Sequence, residues 1–391
     1  MNIYIYESSS RGGCFDYSLC LAKAYLKAGM SVQVLVPSNT PDIEQNKVFC
    51  LRSLLSDDPA SKFRPYRLAH FMFRQFVNPL ILLFALINKK KSIVIINDFE
   101  QISAPLWGPL YRLLLRRHIF IVVLHDPDRD NYPPFKWLST FCMKQMMKVM
   151  HWGLYHEALP EKEYYKNKKT TYLKVPHGLF ESPAPNKDLS LQISSYRGGG
   201  SCMAIIGNIR YEKNYELAIE ALTRLSDWKL IIAGAPANST VSTEVFKRKA
   251  EELGISDRIL WIERFLSDEE MASVIKEADL ILLYYKKTFA SQSGILNMVA
   301  PFGKQVLISD TASAMAETAK KYDIGVIVVP DDLDALVRGV LLSGEKMVSG
   351  WKNYKKYASW ERHVNIVLNS LQVKNKVYET MVRSNPQLPV Q

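Results

Sequence analysis

Short runs that are apolar at consecutive positions punctuate this chain, and between them lie longer stretches whose apolar residues recur every three or four positions. In the first half the runs are NIYIYE, SVQVLVP, SIVIIN, IFIVVLH and TYLKVP, with helical periodicity from about Tyr17 to Lys27 and again from about Pro105. A strand that is apolar on both faces is covered on both faces. The alternation therefore predicts a parallel sheet flanked by helices, an α/β doubly wound domain. GLFESPAPNKDLS, with its prolines, asparagine and serines, reads as a linker. The rhythm then restarts with CMAIIG, WKLIIAG, ILWIE, LILLYY, QVLISD and VIVVP, each followed by a helical stretch. That predicts a second domain of the same build. The tail, with Trp351, Tyr354, Tyr357, Trp360 and Val364, predicts one or two closing helices before a frayed end. The expected bounds are 1–180, completed by a C-terminal helix around 350–380, and 186–349. A chain of 391 residues suits two such domains.

Composition narrows the class. With 48% hydrophobic and 23% charged residues there is ample core and no sign of wholesale disorder. The five cysteines, Cys14, Cys20, Cys50, Cys142 and Cys202, form no CxxC pair, which argues against a zinc cluster and a disulfide framework, so a reducing, cytoplasmic setting is expected. The N-terminus reads as a strand rather than a signal peptide. FVNPLILLFALI, about 12 residues and interrupted by Pro79, falls short of the ~20 that span a bilayer, so no membrane crossing is expected.

The charge is uneven. Of the net +11, residues 1–185 hold +9, from 24 Lys and Arg against 15 Asp and Glu. No acidic residue lies between Asp58 and Asp98, and two more acid-free windows follow at 105–118 and 133–152, all mixing Lys or Arg with Trp, Phe, Leu and Met. Two readings compete for these windows. One is a helix lying at a membrane surface, apolar on one face and cationic at the headgroups; the other is ordinary packing on the sheet with solvated cations. The first is the expectation, while nucleic acid is not expected because no recognition motif accompanies the charge.

Ligands of open α/β sheets sit at the carboxyl ends of strands. After the run ending Ile205-Ile206 come Gly207, Asn208, Arg210 and Lys213. Cations at a turn into a helix oppose the positive end of its dipole, so they are best explained by an anion between them. A later strand is followed by Ser291, Gln292, Ser293 and Gly294, small residues that open a helix and cradle a phosphate. Two cations and a helix start together point to a diphosphate. The alternative is a serine N-cap and two solvated side chains. Gly234 ends the next strand, and Arg264 and Phe265 the one after.

In the first domain ESSSRGGC is not GxGxxG and lacks the acid expected about 20 residues on, so a nicotinamide or flavin site is not expected. Gly12 and Gly13 suggest a backbone that comes close to a ligand or to the other domain. His125 and Asp126 close the strand IFIVVL; His125 either positions a sugar hydroxyl or protonates a departing oxygen, or only caps a loop. His177 in KVPHGLF reads as a hinge residue.

Taken together, GNIRYEKN, VPHG, the HD after a first-domain strand and SGILNMVAPFGKQVLISD resemble the GT-B glycosyltransferases, and within them the large retaining group called family 4. The resemblance implies two Rossmann-like domains facing a cleft and a nucleotide diphosphate sugar bound mainly by the C-terminal domain. It also implies no metal or other cofactor and an acceptor entering from the N-terminal side. Arg210 and Lys213 would neutralise the diphosphate, Ser293 and Gly294 would hold it by backbone N–H groups, and the segment from Arg264 to Leu266 would frame the base. The family commonly carries two glutamates eight positions apart; Ala290 and Met298 stand there in this chain. The expected function is transfer of a sugar to a membrane-associated glycan or glycolipid acceptor, with the protein peripheral at the inner face. The alternatives are a silent binding subunit of the same fold and a nucleotide-sugar epimerase.

Overall fold

The computed structural model describes residues 2–41, 48–59, 61, 63–130, 135–156, 158–180, 182–237, 241–289, 292–344 and 350–384, with side chains as far as 372. The chain divides into two compact units, Met1–Gly178 with Ala358–Gln391, and Leu179–Tyr357.

The first unit holds β1 (Asn2–Tyr6), β2 (Ser31–Pro37), β3 (Phe49–Leu54), β4 (Ser92–Ile96), β5 (Ile119–Leu124), β6 (Trp152–Tyr155) and β7 (Thr171–Lys174). All pair in parallel, in the order β3-β2-β1-β4-β5-β6-β7. Their helices are α1 (Gly13–Lys27), α2 (Arg64–Ile87), α3 (Ala104–Tyr111) and α4 (Lys136–Met147). Alternate residues of each strand feed opposite faces, as the period of two requires. Tyr4, Tyr6, Val94, Ile96, Val122 and Leu124 pack with Leu82, Leu86, Trp107 and Met143. Ile3, Ile5, Ile93, Ile95, Ile121 and Val123 pack with Tyr17, Leu21 and Tyr25 of α1.

The second unit repeats the plan with β8 (Ser201–Ile206), β9 (Trp228–Ala233), β10 (Ile259–Ile262), β11 (Leu280–Leu283), β12 (Gln305–Ser309) and β13 (Val326–Val328), ordered β10-β9-β8-β11-β12-β13 and again parallel. Its helices are α5 (Lys187–Arg197), α6 (Tyr215–Leu222), α7 (Glu244–Glu252), α8 (Asp268–Glu277), α9 (Gly294–Val299), α10 (Ala314–Tyr322), α11 (Leu333–Ser343) and α12 (Trp351–Tyr357). A last helix, α13 (Trp360–Ser384), returns to the first unit, where Val364, Val367 and Leu371 join the α1 face of the core. Trp360 lies so close to Gly178 that a Cβ there would stand 2.2 Å from its ring.

In both sheets the order reverses beside the first strand, between β1 and β4 and between β8 and β11. Such switch points open a crevice for ligands at the carboxyl ends. The loops that follow β1 and β8 are therefore where chemistry is expected.

The sequence reading differs from the structure in four elements. The expected linker runs into α5, which Asn186 caps by accepting from the Leu189 N–H at 2.9 Å. Strands β3 and β6 carried no clear signal: β3 (FCLRSL) is an edge strand exposed at several positions, and β6 (WGLY) is four residues around a glycine. Helix α1 also starts at Gly13, four residues earlier than its apolar period suggests.

Candidate active site

In the second unit β8 is followed by Gly207, whose φ of +84° needs a glycine. A Cβ there would stand 3.0 Å from Ile295 Cδ1 and 3.4 Å from Lys213 Nζ, so the loop after β8 meets both α9 and the following turn. Gly234, at the end of β9, is held more tightly still: its φ is +153° and a Cβ would fall 2.2 Å from the Gly207 carbonyl oxygen. Backbone bonds lace these exits together, with the Gly207 N–H on Ala233 O, the Ile209 N–H on Ala235 O and the Gly234 N–H on Ile262 O, at 2.8–3.0 Å. The strand ends form one rigid rim.

Across that rim the chain turns through a single 3-10 turn, Tyr211–Lys213, into left-handed Asn214 (φ +55°) and then α6. The Asn214 amide donates to Asp331 Oδ1 at 2.8 Å, and Asp331 Oδ2 accepts from the Lys287 N–H at 2.9 Å. This clamp joins the loops after β8, β11 and β13. It drives Lys213 inward to 9% exposure, where its ammonium donates to the Ile206 carbonyl at 2.6 Å, while Arg210 stays exposed. Among the described residues no carboxylate pairs with either side chain. Burial, followed by the Arg210 charge, lowers the Lys213 pKa to about 7. A desolvated cation without a counter-ion is costly by itself and becomes favourable when an anion arrives.

Beside it, Tyr285 is buried with its ring stacked on Phe289 at 4.2 Å. Its hydroxyl lies 3.2 Å from that of buried Ser293, and its carbonyl accepts from Ser309 Oγ at 2.6 Å. Burial raises the Tyr285 pKa, against the pull of the Ser293 hydrogen bond and the Arg210 charge.

In the first unit β1 delivers Glu7 to full burial, where its carboxylate accepts from Ser18 Oγ and Asn97 Nδ2, both at 2.7 Å, and from the Ser9 N–H at 2.9 Å. Burial, then the Asp98 charge, raises the Glu7 pKa to about 7. Asn97 also donates to the Cys14 carbonyl at 2.9 Å, which turns its Oδ1 toward His125 Nε2 at 2.8 Å. Glu7, Asn97 and His125 thus form one line from β1 to the end of β5. Burial, then His177 and His363, lowers the His125 pKa to about 3.

Residues 190–357 match the family described as Glycosyl transferases group 1. The second unit is a glycosyl transferases group 1 domain. A stretch of 89 residues is 32% identical to D-inositol 3-phosphate glycosyltransferase of Mycolicibacterium smegmatis, covering 22% of this chain and 20% of that protein, so the chain spans about a fifth of that relative. Over the whole fold the chain is similar to sucrose-phosphate synthase from Thermosynechococcus elongatus (TM-score 0.67, 16% identity, 97% of this chain and 99% of the other). It is likewise similar to the Anabaena protein Alr3699/HepE in complex with UDP and glucose (TM-score 0.63, 13% identity, 97% and 100%). The fold is GT-B, two Rossmann-like domains.

Within the group 1 domain, Gly207, Asn208, Arg210, Lys213, Gln292, Ser293 and Gly294 gather at the ends of β8 and β11, as their positions after those strands require. Several expected roles change. Ser291, like Ala290, lies outside the described residues. Helix α9 is six residues long, so its dipole is small, and the Ser293 N–H expected on a phosphate is taken by Gln292 Oε1 at 3.3 Å. Arg264 forms a two-point pair with Glu270 at 2.6 and 2.8 Å, and Glu270 closes the capping box of α8. Phe265 beside it is 73% exposed, and Met298 is half-buried.

In the first unit Gly12 has φ +86° and caps α1, yet a Cβ on Gly12 or Gly13 would meet nothing within 4 Å, so nothing in their own unit crowds that backbone. His125 does not fit a donor to a departing oxygen, because burial keeps the ring neutral and its one N–H is given to Asn97. Asp126 is half-buried just past β5. Sequence reasoning missed Tyr285, Ser309, Asn214 and Asp331 around the cations, and Glu7 and Asn97 beside His125. The buried asparagine directly after β4 was the one available signal, since it stands at a switch-point strand end.

The basic helices of the first unit are not simply packed away. In α2 the buried residues are Asn78, Pro79, Leu82, Leu83 and Leu86, one face of the helix, and Tyr111 donates to the Pro79 carbonyl at 2.7 Å. Tyr66, Leu68, Phe71, Phe73 and Phe84 stand exposed. So do Leu113 after α3 and Trp137 and Phe141 of α4. The earlier count of about 12 apolar residues understates α2: at 24 residues it is long and apolar enough to cross a membrane by length and composition. Its packed face ties it instead along the flank of the sheet.

Proposed function

We propose that the protein transfers a sugar from a nucleoside diphosphate sugar, whose diphosphate rests between Arg210 and Lys213. The observation that carries this is the buried Lys213 ammonium, which donates to a carbonyl and pairs with no carboxylate among the described residues. A diphosphate supplies the missing charge, and the same two cations stabilise it as it departs, which removes the need for a metal at that step. The UDP and glucose bound to the Anabaena protein, and the name of the mycobacterial relative, support the reading. Phe265 offers an exposed ring on the same rim for the base. Calorimetric titration with UDP, GDP and ADP tests it. Arg210→Ala with Lys213→Ala should weaken the tightest of the three by ~2–4 kcal/mol, from charge-assisted bonds left unmade. No binding by the unaltered protein would favour a silent subunit.

The acceptor in this reading is membrane-associated, and the protein is peripheral on a cytoplasmic face. Exposed aromatic side chains on α2 and α4, set in windows that hold cations and no acids, are what an interfacial surface needs. Co-sedimentation with anionic liposomes should fall with salt and fall further in Phe73→Ser/Phe84→Ser. Binding that ignored both would count against it.

A further inference from the structure

Four of the seven histidines of the chain, His125, His156, His177 and His363, converge in one nest of the first unit around the ring of Tyr17, with His156 and His363 buried and His125 and His177 half-buried. They come from the end of β5, the end of β6, the segment after β7 and α13. Each gives one N–H to an acceptor: His125 Nε2 to Asn97 Oδ1, His156 Nδ1 to Val175 O, His177 Nδ1 to Gly178 O and His363 Nδ1 to Pro176 O, at 2.8–3.2 Å. Every tautomer is thereby fixed with the lone pair on the other nitrogen. A metal-binding histidine is prepared in this way, by an outer oxygen that takes its N–H.

Three buried polar atoms of the nest have no hydrogen-bond partner: His156 Nε2, His363 Nε2 and Tyr17 Oη. Buried polar atoms are normally satisfied, and one such nitrogen would be an irregularity. Two lone pairs and a hydroxyl without partners in one nest suit a group that binds them. Ring nitrogens of His125, His156 and His177 lie within 4.8 Å of one another. Bonds of about 2.0–2.1 Å at tetrahedral angles put ligand nitrogens roughly 3.4 Å apart, so the rings need to close by about 1.4 Å or less.

We propose that His125, His156 and His177 bind one transition-metal dication of the zinc class, with His363 beside it. Neutral imidazoles are the ligands such an ion requires, and burial holds these rings neutral. The nest also stands where the chain leaves the first unit after His177 and re-enters it before Trp360. The ion is a structural staple there, joining β5, β6 and the segment after β7 next to α13. It is separate from the diphosphate step at Lys213 and is read without nucleotide.

The test uses the full chain, stripped with a chelator and refilled with Zn2+ or Co2+ alone. One equivalent should be retained through gel filtration, cobalt should show tetrahedral absorption bands, and zinc should raise the melting temperature. His156→Gln and His177→Gln should each abolish retention, and Asn97→Ala should weaken it by about 10–100-fold through the freed His125 ring. Tyr17→Phe and His70→Gln, the latter outside the nest, should keep the full equivalent. Should one ligand variant fail to fold by circular dichroism, the other carries the comparison. Sub-stoichiometric metal in the unaltered protein, absent cobalt bands, or an equivalent that survives both ligand variants would overturn the proposal, and a nest holding only a buried water would give the first two results.

Discussion

The two sheets share a topology, yet the crevices at their carboxyl ends store opposite kinds of uncompensated polarity. The group 1 domain buries a cation, Lys213, with the Arg210 charge near it and no ion-paired acid among the described residues. The first unit buries an acid, Glu7, and a set of rings kept neutral, with hydrogen bonds in place of charges. On the proposed reading, one rim is completed by an anion. The other is closed by its own side chains at the acid and left open only at imidazole nitrogens. Equal backbones thus present unequal polar groups, because the residue that follows the strand decides which charge is left over.

The largest effect should separate the rims sterically. Gly234→Ala puts a Cβ into the Gly207 carbonyl and should destabilise the protein by roughly 3 kcal/mol or more in urea unfolding. Gly12→Ala, equally left-handed but uncrowded, should cost only about 1 kcal/mol. Equal losses at the two sites would mean that the lacing between strand exits is not rigid.

A second comparison sets function against stability. Lys213→Met should remove diphosphate binding while raising the stability of the ligand-free protein by ~1–3 kcal/mol, because a desolvated charge is exchanged for a hydrophobe of similar length. A destabilised variant would show that the ammonium is satisfied without ligand.

A third comparison is in pH, and its sign differs between the rims. Glu7 binds its proton more tightly folded than unfolded, so its contribution is complete below its ordinary 4.5 and is lost as pH rises to about 7. Lys213 releases its proton more easily when folded, so its contribution is complete above its ordinary 10.5 and is lost as pH falls to about 7. Glu7→Gln should remove the lower slope from a stability profile, and Lys213→Met the upper one. Diphosphate binding at pH 8 should also take up a proton on Lys213, read from calorimetry in buffers of different ionisation enthalpy. Unchanged slopes in both variants would place the titrations elsewhere.

Much of the fold was legible because a parallel sheet writes itself as runs apolar on both faces; IVII and LIIA admit little else. What escaped was whatever lacks that pressure, such as edge strand β3, half exposed, and Asn186, whose role as a cap looks like linker composition until a helix follows it. Arg210 and Lys213 were readable as a pair because charge at a turn is visible locally. Which of them would bury was not, since that depends on Asn214 reaching Asp331, 117 residues away. The line from Glu7 through Asn97 to His125 spans gaps of 90 and 28 residues and leaves no local spacing to notice. The same holds for the histidine nest, whose members look unrelated along the chain.

Helix α13 lays Val364, Val367 and Leu371 into the core of a sheet whose first strand is made some 360 residues earlier. During synthesis the first unit therefore cannot finish folding when its own strands leave the ribosome; it waits, with one apolar face uncovered, while the whole group 1 domain is translated and folds. Domains ordinarily mature in the order they are made. Here the later one can close first, and the earlier one keeps an apolar face uncovered for that interval.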